Sequence, residues 1–336
     1  KLYQNGIRDL NENLQAGLAL GAMIIKPLGN TGTVQYVTQE NFIPLQFDTR
    51  GRLTKVVMLD SRRINDALYY IRLEFHLLES GIMTIRNKAY QSTNGTNIGS
   101  EVNLSVIDDW KTLPEEISYP IDYVDFGYYR NPIDNTIDKS KSGVSIFSSA
   151  IQLIRKADIQ FGRLDWEYES GERAVYADVT AVKNDGNGKP IRSKLIKVLD
   201  TGRDDFYEDY SPEMRDEAYI RGLEEYKRDI EFNVGLAYGD LSKVSEVEKT
   251  AEEVRTSKQR KYNAVKAIQD NLKDCLEDFA KALAFYNAMT SVQAEFKCEF
   301  SDSILTDEEK ERQRDREEVA MGAMSILEYR MKWYNE

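Results

Sequence analysis

The longest periodic pattern in this sequence lies between Leu241 and Ala294. From Val254 onward this stretch contains neither proline nor glycine, and large apolar residues recur at steps of three and four. They are Val265, Ile268, Leu272, Leu276, Phe279, Leu283 and Tyr286. The spacing predicts one face of an α-helix of roughly 45 residues and about 65 Å. A helix of that length needs neighbours along it, in a bundle, a coiled coil or an assembly of copies.

Short apolar and β-branched runs in the first third of the chain predict strands joined by short turns, and therefore an antiparallel sheet. The runs are Gly17–Lys26, Thr33–Val37, Phe42–Phe47, Lys55–Asp60, Leu68–Leu78 and Met83–Gln91. Within the fifth run, alternating apolar residues from Tyr69 to Leu77 predict one buried face. The turn at Ser80 and Gly81 predicts a hairpin, and Asp122–Arg130 predicts a further strand.

Two helical patterns follow and enclose a short β-rich insert. The first runs from Gly143 to about Glu169, and the second runs from Ser211 to Val234. The second opens with Ser-Pro-Glu, which is typical of a helix start. Between them, Arg173–Val179 and Ser193–Leu199 predict strands around a turn-rich cluster. The acidic run that ends at Tyr210 predicts a loop into the second helix, with cation binding as the alternative.

The segment Asn233–Val247 separates the second helix from the long helix, and Gly235 and Gly239 release the backbone there. The simplest interpretation is an ordinary helix–helix connection, although the segment is long for one. After the long helix, Gln293–Phe300 alternates like a strand. Thr306 and then Ser325 open capping-box patterns, which predict two more helices. Together these elements predict an α+β fold.

The charge balance narrows the classes of function. The chain has 336 residues, enough for two or three domains, and its net charge is −12. That charge argues against a typical nucleic-acid-binding domain, which presents a basic face. A negative net charge is compatible with a channel through which DNA slides. A strongly basic channel would attract the phosphates and hold the DNA in place. We expect no membrane span, and the absence of an initial methionine suggests part of a longer protein.

Candidate chemistry is sparse in this sequence. His76 is the single histidine, and its place opposite the apolar alternation favours a structural or surface role. Cys275 and Cys298 form neither a disulfide framework nor a zinc site of usual spacing, and we expect a buried thiol at Cys275. The sequence contains no phosphate-binding glycine loop and no nucleophile-elbow motif. We therefore expect a structural or assembly protein, with no enzymatic activity and no cofactor.

A series of stretches resembles one protein family. They are Leu18–Pro27, Asn41–Asp48, Tyr69–His76, Ile85–Tyr90, Gly143–Ile159, Phe161–Gly171, Gly239–Arg260 and Ser325–Tyr334. In order and spacing they resemble the portal proteins of tailed bacteriophages and of prophages of Gram-positive bacteria. The Lys-Thr-Ala-Glu-Glu-Val core at Lys249–Val254 resembles the part that joins the tunnel loop of these proteins to their long helix.

The resemblance implies a ring-forming portal architecture. It implies an antiparallel β-rich wing at 1–142, a helical stem at 143–169 and 211–232, and a small α/β clip insert at 170–210. It further implies a tunnel loop at 233–248, one long wing helix with a strand at 249–300, and the start of a crown at 301–336. Portal subunits form a ring of about twelve copies at one capsid vertex, through which double-stranded DNA is packaged and ejected.

The resemblance also implies sites and partners. The DNA-channel residues would be Gly235, Gly239, Lys243 and Lys249, in contact with DNA without sequence specificity. The clip docking surface would be Asn184, Asp185, Asn187 and Lys189. Expected partners are further copies of the chain, the large terminase subunit, the head–tail connector, and the major capsid or scaffolding protein. The expected localisation is the virion, with the host cytoplasm during assembly and no membrane association.

Two other classes of protein stay open. A structural scaffold or adaptor would use the long helix in a coiled coil, which needs regular apolar spacing over several heptads, and the polar run Arg255–Lys261 weakens that spacing. A carbohydrate-active enzyme would use a pair of carboxylates. With 57 acidic residues a chance pair is certain, so that pattern carries little weight.

Overall fold

A computed structural model describes residues 2–65, 68–94, 97–172, 174–178, 196–199, 207–243, 251–289, 296–300 and 308–334. The chain divides into two compact units, one of residues 1–148 and 261–336 and the other of residues 149–260. The described residues form both helices and mainly antiparallel sheets, which confirms the α+β class. No helix among them is long and apolar enough to cross a membrane.

The elements follow the chain in this order. The helices are α1 (Leu2–Gly6), α2 (Leu10–Leu20), α3 (Ile151–Ser170), α4 (Asp216–Val234), α5 (Ala251–Tyr286), α6 (Glu308–Ala320) and α7 (Ile326–Tyr334). The strands are β1 (Ala22–Pro27), β2 (Val34–Thr38), β3 (Phe42–Phe47), β4 (Leu53–Asn65), β5 (Leu68–Glu79), β6 (Ile82–Ser92), β7 (Ser100–Val102), β8 (Glu116–Tyr119), β9 (Gly127–Arg130), β10 (Ala174–Asp178), β11 (Ile196–Leu199) and β12 (Tyr207–Tyr210). The second unit contains α3, α4 and β10 to β12, and α5 has residues in both units.

The largest sheet has the antiparallel order β3-β4-β5-β6-β7, and β8 also pairs with β6. Strands β5 and β6 form the predicted hairpin. The predicted buried face of β5 is only partly correct: Ile71 is buried, but Leu73 and Phe75 are half-buried, and Tyr70, Arg72 and His76 are buried on the opposite face. Polar side chains occupy the interior here because each finds a charged or hydrogen-bonding partner.

Strand β1 lies in the middle of the core of the first unit. It is central in a sheet of order β2-β1-β9, and its side chains alternate between two hydrophobic clusters. Ala22 and Ile24 pack with residues of β4, whereas Met23 and Ile25 pack with α5. A strand that is buried on both faces is continuously apolar, which explains its sequence Ala-Met-Ile-Ile.

Helix α5 covers β1 and β9 through the apolar face that the sequence predicts. Its described part spans 36 residues, about 54 Å, and it ends at Tyr286, before the predicted end at Ala294. Leu272, Leu276, Phe279 and Leu283 are buried as predicted. Cys275 is also fully buried on this face, where burial raises the pKa of its thiol, so it packs as a small apolar side chain.

In the second unit, α3 packs along α4, and three short strands form a sheet of order β11-β10-β12. Strands β10 and β11 confirm the two strands predicted for the insert, and they pair in parallel. The loop predicted before the second helix is wrong, because Tyr207–Tyr210 forms β12 and pairs antiparallel with β10. The ring of Tyr176 also lies 5.8 Å from that of Tyr210.

Helix α3 begins at Ile151, later than the predicted Gly143. The carbonyl oxygens that an earlier start would use are taken by side chains from distant parts of the chain. Gln39 Nε2 donates to the Gly143 carbonyl and Asn131 Nδ2 to the Val144 carbonyl, each over 2.9 Å. The backbone at residues 143–145 is irregular, and a turn and a short 3₁₀ helix (Ser148–Ala150) follow it before α3 begins.

Helix α4 begins at Asp216, also later than the predicted Ser211. The buried carboxylate of Glu167 on α3 accepts the Arg215 backbone N–H over 2.9 Å and its guanidinium over 2.8 Å. A carboxylate from the neighbouring helix therefore supplies the cap that the sequence assigned to Ser211.

Four smaller predictions have mixed outcomes. Of the predicted strand Asp122–Arg130, only the last four residues form β9. The described part of Gln293–Phe300, residues 296–300, forms no strand. The capping box before α7 is confirmed, since Ser325 and Glu328 each accept a backbone N–H of the other. The pattern at Thr306 lies outside the described residues.

The contact between α5 and β9 predicts a large effect of one added methyl group. A Cβ atom on Gly127 would lie 2.3 Å from the carbonyl oxygen of Cys275. We expect Gly127→Ala to lower the free energy of unfolding by about 2–3 kcal/mol in denaturant titrations. Gly162→Ala is the matched control, because no atom lies within 4 Å of its Cβ and alanine favours the interior of α3 by about 0.5–1 kcal/mol. Equal stability of the two variants would contradict the close packing.

Candidate DNA-contacting segment

The residues that follow α4 form an ordered turn, which we call the clamped segment (residues 235–243). Helix α4 ends where Gly235 adopts a left-handed backbone with φ of 83°, and the next N–H, of Leu236, donates to the Glu231 carbonyl over 2.8 Å. Gly239 also has a positive φ, of 96°. The two glycines thus stand where the chain reverses, as the sequence indicates.

The carboxylate of Glu231 organises this segment. Its Oε1 accepts the backbone N–H groups of Gly239, Leu241 and Ser242 over 3.1, 2.6 and 2.7 Å. Its Oε2 accepts the Ser242 hydroxyl over 2.9 Å. Glu231 is completely buried, so these donors replace the water that a carboxylate needs.

A second carboxylate holds the end of the segment. Glu224 Oε2 accepts the Lys243 backbone N–H over 2.6 Å, and Glu224 Oε1 accepts the ammonium of Lys227 over 2.9 Å. Burial raises the pKa of Glu224, but these two hydrogen bonds and the charges of Lys227 and Lys243 outweigh it, so the pKa lies below its ordinary value. Both carboxylates sit on α4, so the helix fixes the path of the segment.

A third contact holds the clamped segment in place, between an arginine of α5 and two aromatic rings. The guanidinium of Arg260 on α5 lies 4.5 Å from the centre of the Phe232 ring and 5.2 Å from that of Tyr238. Such cation–π contacts favour a cation between two rings. They join the end of α4, the clamped segment and the start of α5.

The predicted channel residues are only partly described. Gly235, Gly239 and Lys243 lie together in the clamped segment, with Lys243 exposed, and Lys249 lies outside the described residues. The predicted clip docking residues Asn184, Asp185, Asn187 and Lys189 also lie outside them. The sequence alone does not identify Glu231, Glu224 and Arg260. The only local signal for Glu231 is its place four residues before the helix-ending glycine.

A buried ionic network surrounds the single histidine in the first unit. His76 Nδ1 lies 2.7 Å from Asp125 Oδ1, and its Nε2 lies 3.0 Å from Glu74 Oε1. Burial lowers the pKa of His76, but the charge of Asp125 and hydrogen bonds to both carboxylates raise it to about 9. The ring is therefore an imidazolium at neutral pH, and it donates from both nitrogens.

The network extends to other elements of the first unit. Lys26 Nζ on β1 lies 2.5 Å from Glu74, Arg72 lies 3.1 Å from it, and the Tyr286 hydroxyl on α5 donates to Asp125 over 2.7 Å. His76 is only 2% exposed, so no substrate in solvent reaches it. The structural role expected for this histidine is confirmed, in a buried rather than a surface position.

One open cleft of about 310 Å³ lies beside α5 in the first unit. It is lined by charges of both signs, among them Arg50, Arg52, Asp122, Asp274 and Asp278. Burial raises the pKa of Asp278, an effect that the charges of Lys281 and Arg52 oppose. Among the residues that the structure describes, no group of three or more His, Cys, Asp or Glu side chains could hold a metal ion.

No protein-family model and no curated protein sequence matches this chain. The geometry of the described residues and the resemblance noted above therefore carry the functional argument.

The His76 network predicts how stability depends on pH. The pKa of about 9 lies above the ordinary value of 6.5, so the contribution of the imidazolium is complete below pH 6.5 and is lost as pH rises through 9. Between pH 6.5 and 8.5 we expect the free energy of unfolding to fall by about 1 kcal/mol per pH unit.

The control for this effect is His76→Gln, which removes the titrating group. We expect this variant to be less stable at pH 6.5 and to have a nearly flat profile in urea titrations over the same pH range. Parallel profiles of the two proteins would contradict a charged His76.

Proposed function

We propose that this chain is a portal subunit, which assembles head to tail into a ring of about twelve copies and surrounds a channel for double-stranded DNA. The resemblance in order and spacing of its stretches supports this proposal. The observation that carries it lies on α3, where apolar side chains stand exposed on both sides of the contact with α4.

The contact between the two helices uses one narrow strip of α3. Leu164 and Glu167 are buried in it, and Gln160 Nε2 donates to the Tyr219 carbonyl on α4 over 3.2 Å. Gly222 on α4 allows this approach, since a Cβ there would lie 3.2 Å from the Gln160 amide nitrogen. On α3, Gln160, Leu164 and Glu167 lie at steps of four and three, the spacing of contact residues in any pair of packed helices.

Two further rows of large side chains flank that strip, and both are exposed. Ile154, Phe161 and Tyr168 form the first row, with exposures of 39%, 53% and 42%. Ile159 and Trp166 form the second row, with exposures of 47% and 60%. Within each row the spacing is seven residues, so the side chains align to within about 20° per step.

Two apolar rows on opposite sides of one strip fit a helix that has neighbours on both sides. A ring built from head-to-tail contacts gives every subunit two different faces, and each row would belong to one of them. In the scaffold or adaptor alternative the coiled coil forms on the long helix α5, so both rows of α3 would stay in water. The arrangement therefore favours the ring over the dimer.

In this proposal the regions keep the limits that the resemblance implies. Residues 143–169 and 211–232 form the stem, residues 233–248 the tunnel loop, and residues 170–210 the clip that docks the large terminase subunit and later the head–tail connector. The ring sits at one capsid vertex of the virion, in contact with the major capsid or scaffolding protein. It forms in the host cytoplasm and involves no membrane.

The acidic chain would contact DNA through few and weak charges. Lys243 is exposed at the end of the clamped segment. A channel that lets DNA move needs contacts that exchange quickly, and isolated lysines provide them because each releases few counterions.

Charged substitutions in the two rows test the assembly. We expect Phe161→Glu and Trp166→Glu each to abolish ring formation in sedimentation velocity, because each would desolvate a carboxylate in an interface. Lys111→Gln, on an exposed loop, changes the net charge equally and should assemble as the unmodified protein does. Normal rings from both glutamate variants would refute the role of α3.

The DNA contact is tested by the salt dependence of binding. If Lys243 touches phosphate, Lys243→Gln should reduce the magnitude of the slope of log affinity against log salt by at least about 0.9 for each phosphate that the side chain neutralises. Lys266→Gln, at an exposed position of α5, is the control and should leave the slope unchanged. An unchanged slope in Lys243→Gln would remove this residue from the proposed channel.

A further inference from the structure

We infer that Glu231 is the positioning residue of the candidate DNA-contacting segment, and that its carboxylate locks the segment onto α4 at Gly239, Leu241 and Ser242. The position of this lock follows from the structure alone. Its consequence for DNA rests on the proposed function.

Among the residues that the structure describes, all donors to the Glu231 carboxylate come from the clamped segment. Three are backbone N–H groups and one is the hydroxyl of Ser242, and they lie 8 to 11 residues further along the chain. The carboxylate therefore has its full set of donors only while the segment is folded back onto the helix. Since an unpaired buried carboxylate is costly, segment and carboxylate form one cooperative unit.

The lock also determines where the exposed lysine lies. Ser242 is buried and bonded to Glu231, and the next residue, Lys243, is bonded through its backbone to Glu224. The Cα position of Lys243 is thus set by two carboxylates of α4, and only its side chain is free to follow a ligand. If Lys243 contacts DNA, its Cα atom would keep a fixed position relative to α4 during that contact.

Hydrogen exchange measured on the full chain tests the lock residue by residue. In Glu231→Ala we expect the amides of Gly239, Leu241 and Ser242 to lose protection at least tenfold, while amides in the middle of α4 keep theirs. Glu231→Gln keeps one carbonyl oxygen in the place of Oε1, so it should restore most of the protection of the three amides.

The matched control is Glu225→Ala, which removes an exposed glutamate of the same helix that pairs only with Arg228 among the described contacts. It should leave the three amides unchanged. Unchanged protection in Glu231→Ala would overturn the inference, and so would a uniform loss along α4, which would make Glu231 a general support of the helix.

DNA binding by the same variants tests the lock and the proposed function independently. In Glu231→Ala we expect weaker DNA binding together with the loss of protection, and recovery of both in Glu231→Gln. Loss of protection with unchanged DNA binding would uphold the lock and refute the segment as a DNA contact. Weaker DNA binding with full protection would overturn the inference, because Glu231 would then act without positioning the segment.

Discussion

Buried carboxylates join the elements of this protein. Glu74 and Asp125 hold β5, β1 and α5 in the first unit, while Glu167 and Glu231 hold the start and the end of α4 in the second. A carboxylate away from water is stable only when donors surround it, so each of these side chains requires its partners to stay in place. Their geometry constrains backbone segments that lie far apart in the sequence.

This constraint explains why the elements meet as they do. In the first unit, β1 is apolar from Ala22 to Ile25, yet its Lys26 ends on Glu74, which connects the strand to the β5 network. In the second unit, the Glu167–Arg215 pair sets the start of α4, and Glu231 sets the path by which the chain leaves it. A subunit whose segments are fixed in this way suits an assembly that must keep its shape while a polymer moves through it, which is the role proposed above.

The sequence predicts the helix and strand faces whose buried residues are apolar and recur at a regular local spacing. The apolar face of α5 is correct because Leu272, Leu276 and Phe279 are buried by contacts at helical spacing. The buried face predicted for β5 is correct only at Ile71, because alternation treats apolar residues as the buried ones, whereas paired charges at Arg72 and His76 occupy the interior.

In the candidate site, too, the sequence predicts only those residues whose role depends on their immediate neighbours in the chain. Gly235 and Gly239 could be identified because a glycine requirement is local. Glu231 could not, since its meaning depends on donors 8 to 11 residues away that only the folded turn brings together. The two apolar rows of α3 are visible in the sequence as repeated apolar positions, but their exposure is known only once the strip that faces α4 is located.

We propose that copies of this chain close into a ring around a channel. The most direct measurement is the mass of the assembled protein by native mass spectrometry, together with images of single particles. We expect a closed ring of about twelve subunits with a central hole. A monomer or a two-fold dimer under assembly conditions would contradict it and would favour the scaffold or adaptor class instead.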